Sequence, residues 1–348
     1  MGFYTGKKIL IIGGTGTIGK SLVRALLKDE PAVIRIFSRD EHKQFELAEE
    51  IGHLPNLRFL IGDIRDENRV YRAMQDIDYV FHSAAMKHVP ACEYNPFEAV
   101  QTNIIGTQNV IQAALNAGVK KVIFTSTDKA ISPTNTYGAS KLMAERLISS
   151  AQYQAGSSDI VFAAVRFGNV MGSRGSVIPL FLQQIRQKRE ITVTDKTMSR
   201  FMMTMPQATE LTLKAMQLSS GGEVFVLKMP VIRLQDLADI VIEKAAAKYN
   251  ISRREVKVRE IGLRPGEKMY EELMTENEAI HALELDDMFV IPNLYLDDVH
   301  PYEGARKAEQ QSYNSHTVAP ISIRELEQMI EDNRLLEIET EIWREVTV

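Results

Sequence analysis

The sequence predicts a doubly wound α/β fold, a mainly parallel sheet covered by helices, with a smaller C-terminal lobe. Three features carry that expectation. Short β-branched apolar runs alternate with helical patterns through the first half, and glycines close the first run. Beyond Gly168 the alternation loosens and polar residues cluster.

Lys8-Ile9-Leu10-Ile11-Ile12 reads as a strand buried on both faces. A helical pattern follows over Thr17–Leu27, with Ile18, Leu22, Val23 and Leu26 on one apolar side. Further strands are expected at 33–37, 57–61, 78–82, 121–125 and 159–166, with a long helix over 103–117. Strands separated by helices imply right-handed crossovers and a parallel sheet. In the second half, short extended pieces at 191–193 and 224–226 mix with helices near 206–218 and 234–247. The tail carries one helical pattern, 321–333, and then an acidic, strand-prone end.

Composition excludes several classes. The 348 residues are 45% hydrophobic and 25% charged, close to an average globular protein rather than a disordered, collagenous or coiled-coil chain. A single cysteine, Cys92, cannot form an internal disulfide or a cysteine-rich metal site, so a reducing, cytoplasmic compartment is expected. No apolar run reaches the ~18 residues of a membrane span, and Lys7 and Lys8 precede a strand-like run rather than a signal peptide. A net charge of −5 argues against general nucleic-acid binding. The seven histidines show no metal-ligand spacing; His82 and His88 read as structural, and Cys92 as a small buried hydrophobe.

The first strand runs into Gly13-Gly14-Thr15-Gly16-Thr17-Ile18-Gly19. Between a strand and a helix, Gly13 permits the tight turn, Gly16 admits a pyrophosphate close to the backbone, and Gly19 allows close helix packing. The helix N-terminus offers free N–H groups to the phosphates. At the end of the second strand stand Ser38, Arg39 and Lys43. A hydroxyl, a guanidinium and an ammonium suit a 2′-phosphate, which favours NADP; Asp40 is the competing candidate for the 2′-hydroxyl of NAD. Asp63 and Ile64, after the third strand, fit a loop beside the adenine.

Thr136-Tyr137-Gly138-Ala139-Ser140-Lys141 places Tyr137 and Lys141 one helical turn apart. A lysine ammonium nearby, with a positive nicotinamide, would favour the phenolate and let Tyr137 take a hydroxyl proton. The glycine loop, this pair and the chain length together resemble the extended short-chain dehydrogenase/reductase family, over at least residues 8–275. Ser126-Thr127-Asp128-Lys129-Ala130, followed by Pro133, is similar to the UDP-N-acetylglucosamine 4,6-dehydratase group, particularly its C5-inverting members. Four other segments match that group in order: 84–90, 166–170, 173–179 and 264–268.

The resemblance implies catalytic roles for Thr127, Asp128, Lys129, Tyr137 and Lys141. In the implied reaction Tyr137 accepts the O4 proton during C4 oxidation, Lys129 removes C5–H, and Asp128 protonates the departing C6 hydroxyl. Lys129 must be neutral for this, which burial beside the cofactor and Lys141 would favour. Cofactor contacts are implied at Gly13, Thr15, Gly16, Thr17, Ile18, Gly19, Ala84, Ala85 and Lys87 as well as at the strand-two cluster. Lys87, Asn169, Ser173, Arg174, Val177, Arg200, Arg264 and Glu267 are the implied substrate contacts; any one of the arginines could equally form a structural ion pair, and Glu267 could order Arg264.

The domain reading is therefore an NADP-binding domain at 1–170, a partly interleaved UDP-sugar lobe at 171–300 and a tail at 301–348. Helices at 100–117 and 140–154 resemble those of a subunit-pairing bundle, implying a homo-oligomer. Three other activities share these residues: release of a 5,6-unsaturated sugar, UDP-sugar epimerisation, and cofactor sensing without catalysis. The intact Thr127, Asp128, Lys129, Tyr137 and Lys141 speak against the last.

Overall fold

A computed structural model of the chain describes residues 2–173, 175–296, 301–309 and 311–337. The chain divides into two compact units: 1–168, 206–228 and 272–314 form the first, and 169–205, 229–271 and 315–348 the second. A cut at residue 170 matches only the first of these crossings.

The first unit is built on a ten-stranded sheet. Its strands β1 (Lys8–Ile12), β2 (Val33–Ser38), β3 (Leu57–Ile61), β4 (Tyr79–His82), β5 (Lys121–Thr127) and β6 (Val161–Phe167) are all parallel, in the order β6-β5-β4-β1-β2-β3. All four residues of β4 and the last four of β1 are buried, as a sheet covered on both faces requires. Val224–Leu227, expected in the second lobe, is instead a seventh parallel strand beside β6. It is apolar and buried at all four positions, and an interior sheet position is where such a strand loses least. Met288–Ile291, Leu283–Glu284 and Arg306–Lys307 extend that edge antiparallel.

Helix α1 (Thr17–Leu27) buries Gly19, Leu22, Val23 and Leu26, so Gly19 completes the packing face while Ile18 stays partly exposed. A π-helical stretch, Val100–Ile105, leads into the helix Gly106–Ala117, which ends at Gly118 in the left-handed conformation. The helix Thr136–Gln154 packs on β5 and β6 and carries the Tyr–Lys pair.

In the second unit, Ser199–Met203 pairs with Asn169–Val170 and Val231–Arg233, and Glu190–Val193 pairs with Lys257–Glu260. Helices Val177–Lys188 and Leu234–Lys248 enclose a core containing Ile178, Phe181, Leu237 and Val241. The tail helix Ile323–Asp332 starts at a capping box, Ser322 with Glu325, and buries Leu326 and Ile330 in that same core. The acidic end expected beyond it, 338–348, lies outside the described residues.

Candidate active site

The glycine loop is a tight cradle. Gly13 has φ +81°, and a Cβ there would lie 2.7 Å from Ala84 N. A Cβ on Gly19 would meet Gly13 O at 2.4 Å, so helix and turn can approach only without side chains. Gly16 is the N-cap of α1 and supplies no side-chain cap, which leaves the first-turn N–H groups for an anion. Thr15 is buried; Thr17 and Ile18 are partly exposed. Ala84 and Ala85 follow β4, and Ala84 borders the loop at Gly13. This arrangement fits a dinucleotide pyrophosphate.

At the end of β2, the Ser38 hydroxyl accepts from Gln44 Nε2 (2.9 Å). Arg39 is more than half exposed and 3.5 Å from Asp63. Asp40, the competing residue, is the N-cap of the helix Glu41–Ile51: its carboxylate accepts from Lys43 N (3.1 Å) and pairs with Lys43 Nζ (2.6 Å). Those bonds hold its carboxyl below the usual range. Asp63 accepts from Arg65 N, and Ile64 is buried against Gly106.

The end of β5 turns sharply through the 3-10 segment Asp128–Ala130. Asp128 is fully buried, and its Oδ1 accepts from both Thr127 Oγ1 (2.9 Å) and Lys129 Nζ (2.9 Å). Its Oδ2 is buried without a hydrogen-bond partner, an expensive condition that a bound polar group would relieve. The Lys129 side chain is one-quarter exposed. Lys129 thus stands paired with a buried carboxylate.

Tyr137 is hydrogen-bonded to Thr127. Enclosure of its phenol pushes its pKa up to about 12, against the opposing pull of Lys129 and of the Thr127 bond. A positive charge at Lys129 therefore favours the Tyr137 phenolate, and Lys141 stands one helical turn from the same side chain. Lys141 donates from Nζ to Thr125 O (2.6 Å) and lies 3.8 Å over the Phe124 ring. Burial lowers it to about 7, with Glu145 opposing.

Two positioning features escape motif reading. A Cβ on Gly138 would lie 2.1 Å from Lys129 O, so this glycine alone lets the Tyr–Lys helix approach the Asp–Lys turn. Asn103, buried in the π-helical stretch, clamps Met86 through both backbone groups (2.8 and 3.0 Å) and donates to Ser140 Oγ (2.9 Å). It thereby ties the 84–88 loop to the residue before Lys141; π-helical insertions recur at such places. Lys87, in that loop, is exposed.

Among the expected substrate residues of the second unit, Asn169 and Arg200 stand on paired strands, and Arg200 reaches the segment that follows Glu267. Asn169 starts its short strand, and Ser173 and Val177 flank the turn into the helix Val177–Lys188; Arg174 lies outside the described residues. Arg200 donates to the carbonyls of Ser199 (2.8 Å), Lys268 (2.7 Å) and Met269 (3.1 Å). Its guanidinium is a strut between two backbone segments, the structural role that the sequence left open for these arginines. Arg264 is exposed, and Glu267 accepts from its backbone N–H (3.3 Å), ordering the turn. Among the described residues, no three His, Cys, Asp or Glu side chains are grouped to hold a metal ion, and no helix is long and apolar enough to cross a membrane.

Residues 9–293 match the family described as polysaccharide biosynthesis protein. An X-ray structure of Pen from Bacillus thuringiensis has a TM-score of 0.90 at 57% identity, over 96% of this chain and 99% of that one. UDP-N-acetylglucosamine 4,6-dehydratase (inverting) of Campylobacter jejuni is 41% identical over 290 residues, 83% of each chain. UDP-glucose 4-epimerase of Rickettsia rickettsii is 39% identical over 335 residues, 94% of this chain and 96% of its own.

Proposed function

From the premise that this chain belongs to the polysaccharide biosynthesis protein family, we propose that it is a UDP-N-acetylglucosamine 4,6-dehydratase that inverts C5, uses NADP and works in the cytoplasm on surface-glycan precursors. Its similarity to nucleotide-sugar dehydratases and epimerases supports the broader class of reaction. The observation that carries the narrower reading is the ion pair of buried Asp128 with Lys129 beside Tyr137, with one carboxylate oxygen unsatisfied. An epimerase needs one proton-transfer residue at C4. Elimination across C5–C6 needs a further base and a further acid, and this pair can be both.

A bound oxidised nicotinamide would supply the hydride acceptor and a positive charge that favours the phenolate. Tyr137 takes the O4 proton as C4 becomes a ketone, and the ketone acidifies C5–H. Transfer of one proton across the 2.9 Å between Lys129 Nζ and Asp128 Oδ1 turns ammonium and carboxylate into amine and carboxylic acid. The amine takes the C5 proton, and the acid protonates the departing C6 hydroxyl, which leaves as water. Both groups then regain their starting charges, so elimination needs no outside proton. The hydride taken from C4 returns from the reduced cofactor to C6; a proton taken from solvent on the opposite side of C5, balanced by release of the one held by Tyr137, gives the inverted 4-keto-6-deoxy sugar on UDP.

Proton NMR of the full chain with UDP-N-acetylglucosamine in D₂O tests this. A C6 methyl signal and altered C5 couplings are expected, and an unchanged substrate would sink the assignment. A 4-epimer with C6 intact would favour epimerisation, and an exocyclic methylene signal would mean release before the final reduction. Pairing of two copies through the helices at 100–117 and 140–154 belongs to the same reading.

NADP is the preferred cofactor because Asp40 is committed to capping a helix and to pairing with Lys43, while the more than half exposed Arg39 stands beside Ser38 at the end of β2. Arg39→Ala is expected to weaken NADP binding about tenfold and leave NAD binding unchanged, read by titration calorimetry. Equal losses for both would remove the argument. Gly138→Ala is expected to lower kcat about 10²-fold, because the new Cβ must push the Tyr137 helix away from the Lys129 turn. NADP affinity, measured alongside, is expected to stay within a few-fold of the parent, and an unaltered kcat would show that the contact is not critical.

A further inference from the structure

Four ionisable side chains of the first unit are withdrawn from water together. Lys141, Glu145 and Arg166 are buried, and the Glu278 side chain is 13% exposed. Arg166 directs its donors into this cluster. Nε meets Glu145 Oε2 (3.2 Å), Nη2 meets Glu145 Oε1 (2.5 Å) and Glu278 Oε1 (3.0 Å), and Nη1 meets Glu278 Oε2 (3.1 Å) and Leu273 O (2.8 Å). Two carboxylates on one guanidinium leave one surplus negative charge. In a dry interior such a charge is costly unless a cation stands close by.

Lys141 is that cation. It lies one turn before Glu145 on the same face of the helix Thr136–Gln154, where the two charges attract without a hydrogen bond between them. With Lys141 protonated, the four groups sum to zero. We propose that Glu145 is a positioning residue for Lys141: clamped by Arg166 and Glu278, its carboxylate is the fixed counter-charge that keeps the buried lysine an ammonium.

The other groups around Lys141 do not replace this carboxylate. From β5, Thr125 offers a carbonyl and Phe124 a ring face. From β4, His82 is neutral, because burial and the nearby lysine push it down to about 3. Asp128 and Lys129, on the turn packed against this helix, pair with each other. From β6, Arg166 is itself positive and fully engaged. Burial drives Lys141 towards the amine while Glu145 holds it back, and the balance near 7 leaves its charge sensitive to one neighbour. The inference rests on the reading that Lys141 belongs to the reaction's machinery.

Carbon-13 NMR of the full chain labelled at lysine Cε tests it directly, the Lys141 signal being assigned by its loss in Lys141→Met. Removing the Glu145 charge destabilises the ammonium, so Glu145→Gln is expected to lower the titration midpoint by about one unit or more. Glu278→Gln relieves the same guanidinium without changing the lysine's neighbour, and a much smaller shift is expected. No shift in Glu145→Gln, or equal shifts in both variants, would overturn the proposal. Should Glu145→Gln fail to fold, Glu145→Asp keeps the charge and retracts it by one methylene; a partial downward shift supports the proposal and an unchanged midpoint overturns it. The titration needs no turnover. A protein that leaves UDP-N-acetylglucosamine untouched therefore sinks the dehydratase reading without deciding this one.

Discussion

Lys129→Ala is expected to lower the rate of water elimination from UDP-N-acetylglucosamine by about 10²–10⁴-fold while leaving NADP affinity unchanged. Two effects of the one ammonium are lost together. Asp128 is fully buried, and without the Nζ at 2.9 Å its Oδ1 keeps only the Thr127 hydroxyl. A buried carboxylate stripped of its cation favours the neutral acid, so the pair can no longer exchange a proton. Tyr137 also loses the positive charge that opposes its enclosure, which raises its phenol further and slows the preceding oxidation. Lys129→Arg separates the two roles, because it restores a positive charge that cannot act as a base. If Lys129→Arg dehydrates at the parental rate, as followed by the C6 methyl signal, the base is some other group.

The largest expected effect on stability is at Arg166. Arg166→Met should destabilise the first unit by about 3–5 kcal/mol, because it leaves two buried carboxylates facing each other without a cation. The loss spreads widely in the fold: the side chain joins β6, the helix carrying Tyr137 and the segment 273–278. Within that segment Glu278 forms a capping box with Thr275, and its carboxyl, pushed up by burial, is held low on balance by Arg166. Adding Glu145→Gln and Glu278→Gln to Arg166→Met is expected to recover much of the loss, since hydrogen-bonding groups then replace uncompensated charges. Chemical denaturation followed by the fluorescence of tyrosines in the first unit reads both variants. An unchanged midpoint in Arg166→Met would show that the cluster contributes little.

Local pattern carried much of the fold. Runs such as Lys8–Ile12 are apolar at nearly every position, and only a strand covered on both faces buries such a run fully. The glycine loop and the Tyr–Lys spacing were readable for the same reason, since each works over one turn of chain. Val224–Leu227 reads as extended from its own residues, but its place beside β6 does not, because nothing within four residues records which sheet a strand will join. The chain's repeated crossings between the two units likewise depend on contacts far apart in sequence.

Electrostatic detail divides along the same line. The sequence by itself determined which groups are available: an acid and an amine at 128–129, a phenol and an amine one turn apart at 137 and 141, and a glycine-lined turn at 13–19. Only the tertiary structure decided their pairing. Lys129 pairs with Asp128 beside Tyr137, Lys141 is buried one turn before Glu145, and Arg200 bonds to backbone carbonyls. Spacing along a helix says which side chains can meet, but a charge responds to burial and to every neighbour within a few ångströms, whichever strand supplies it. That is why the motifs name the groups while their burial and pairing come only from the fold.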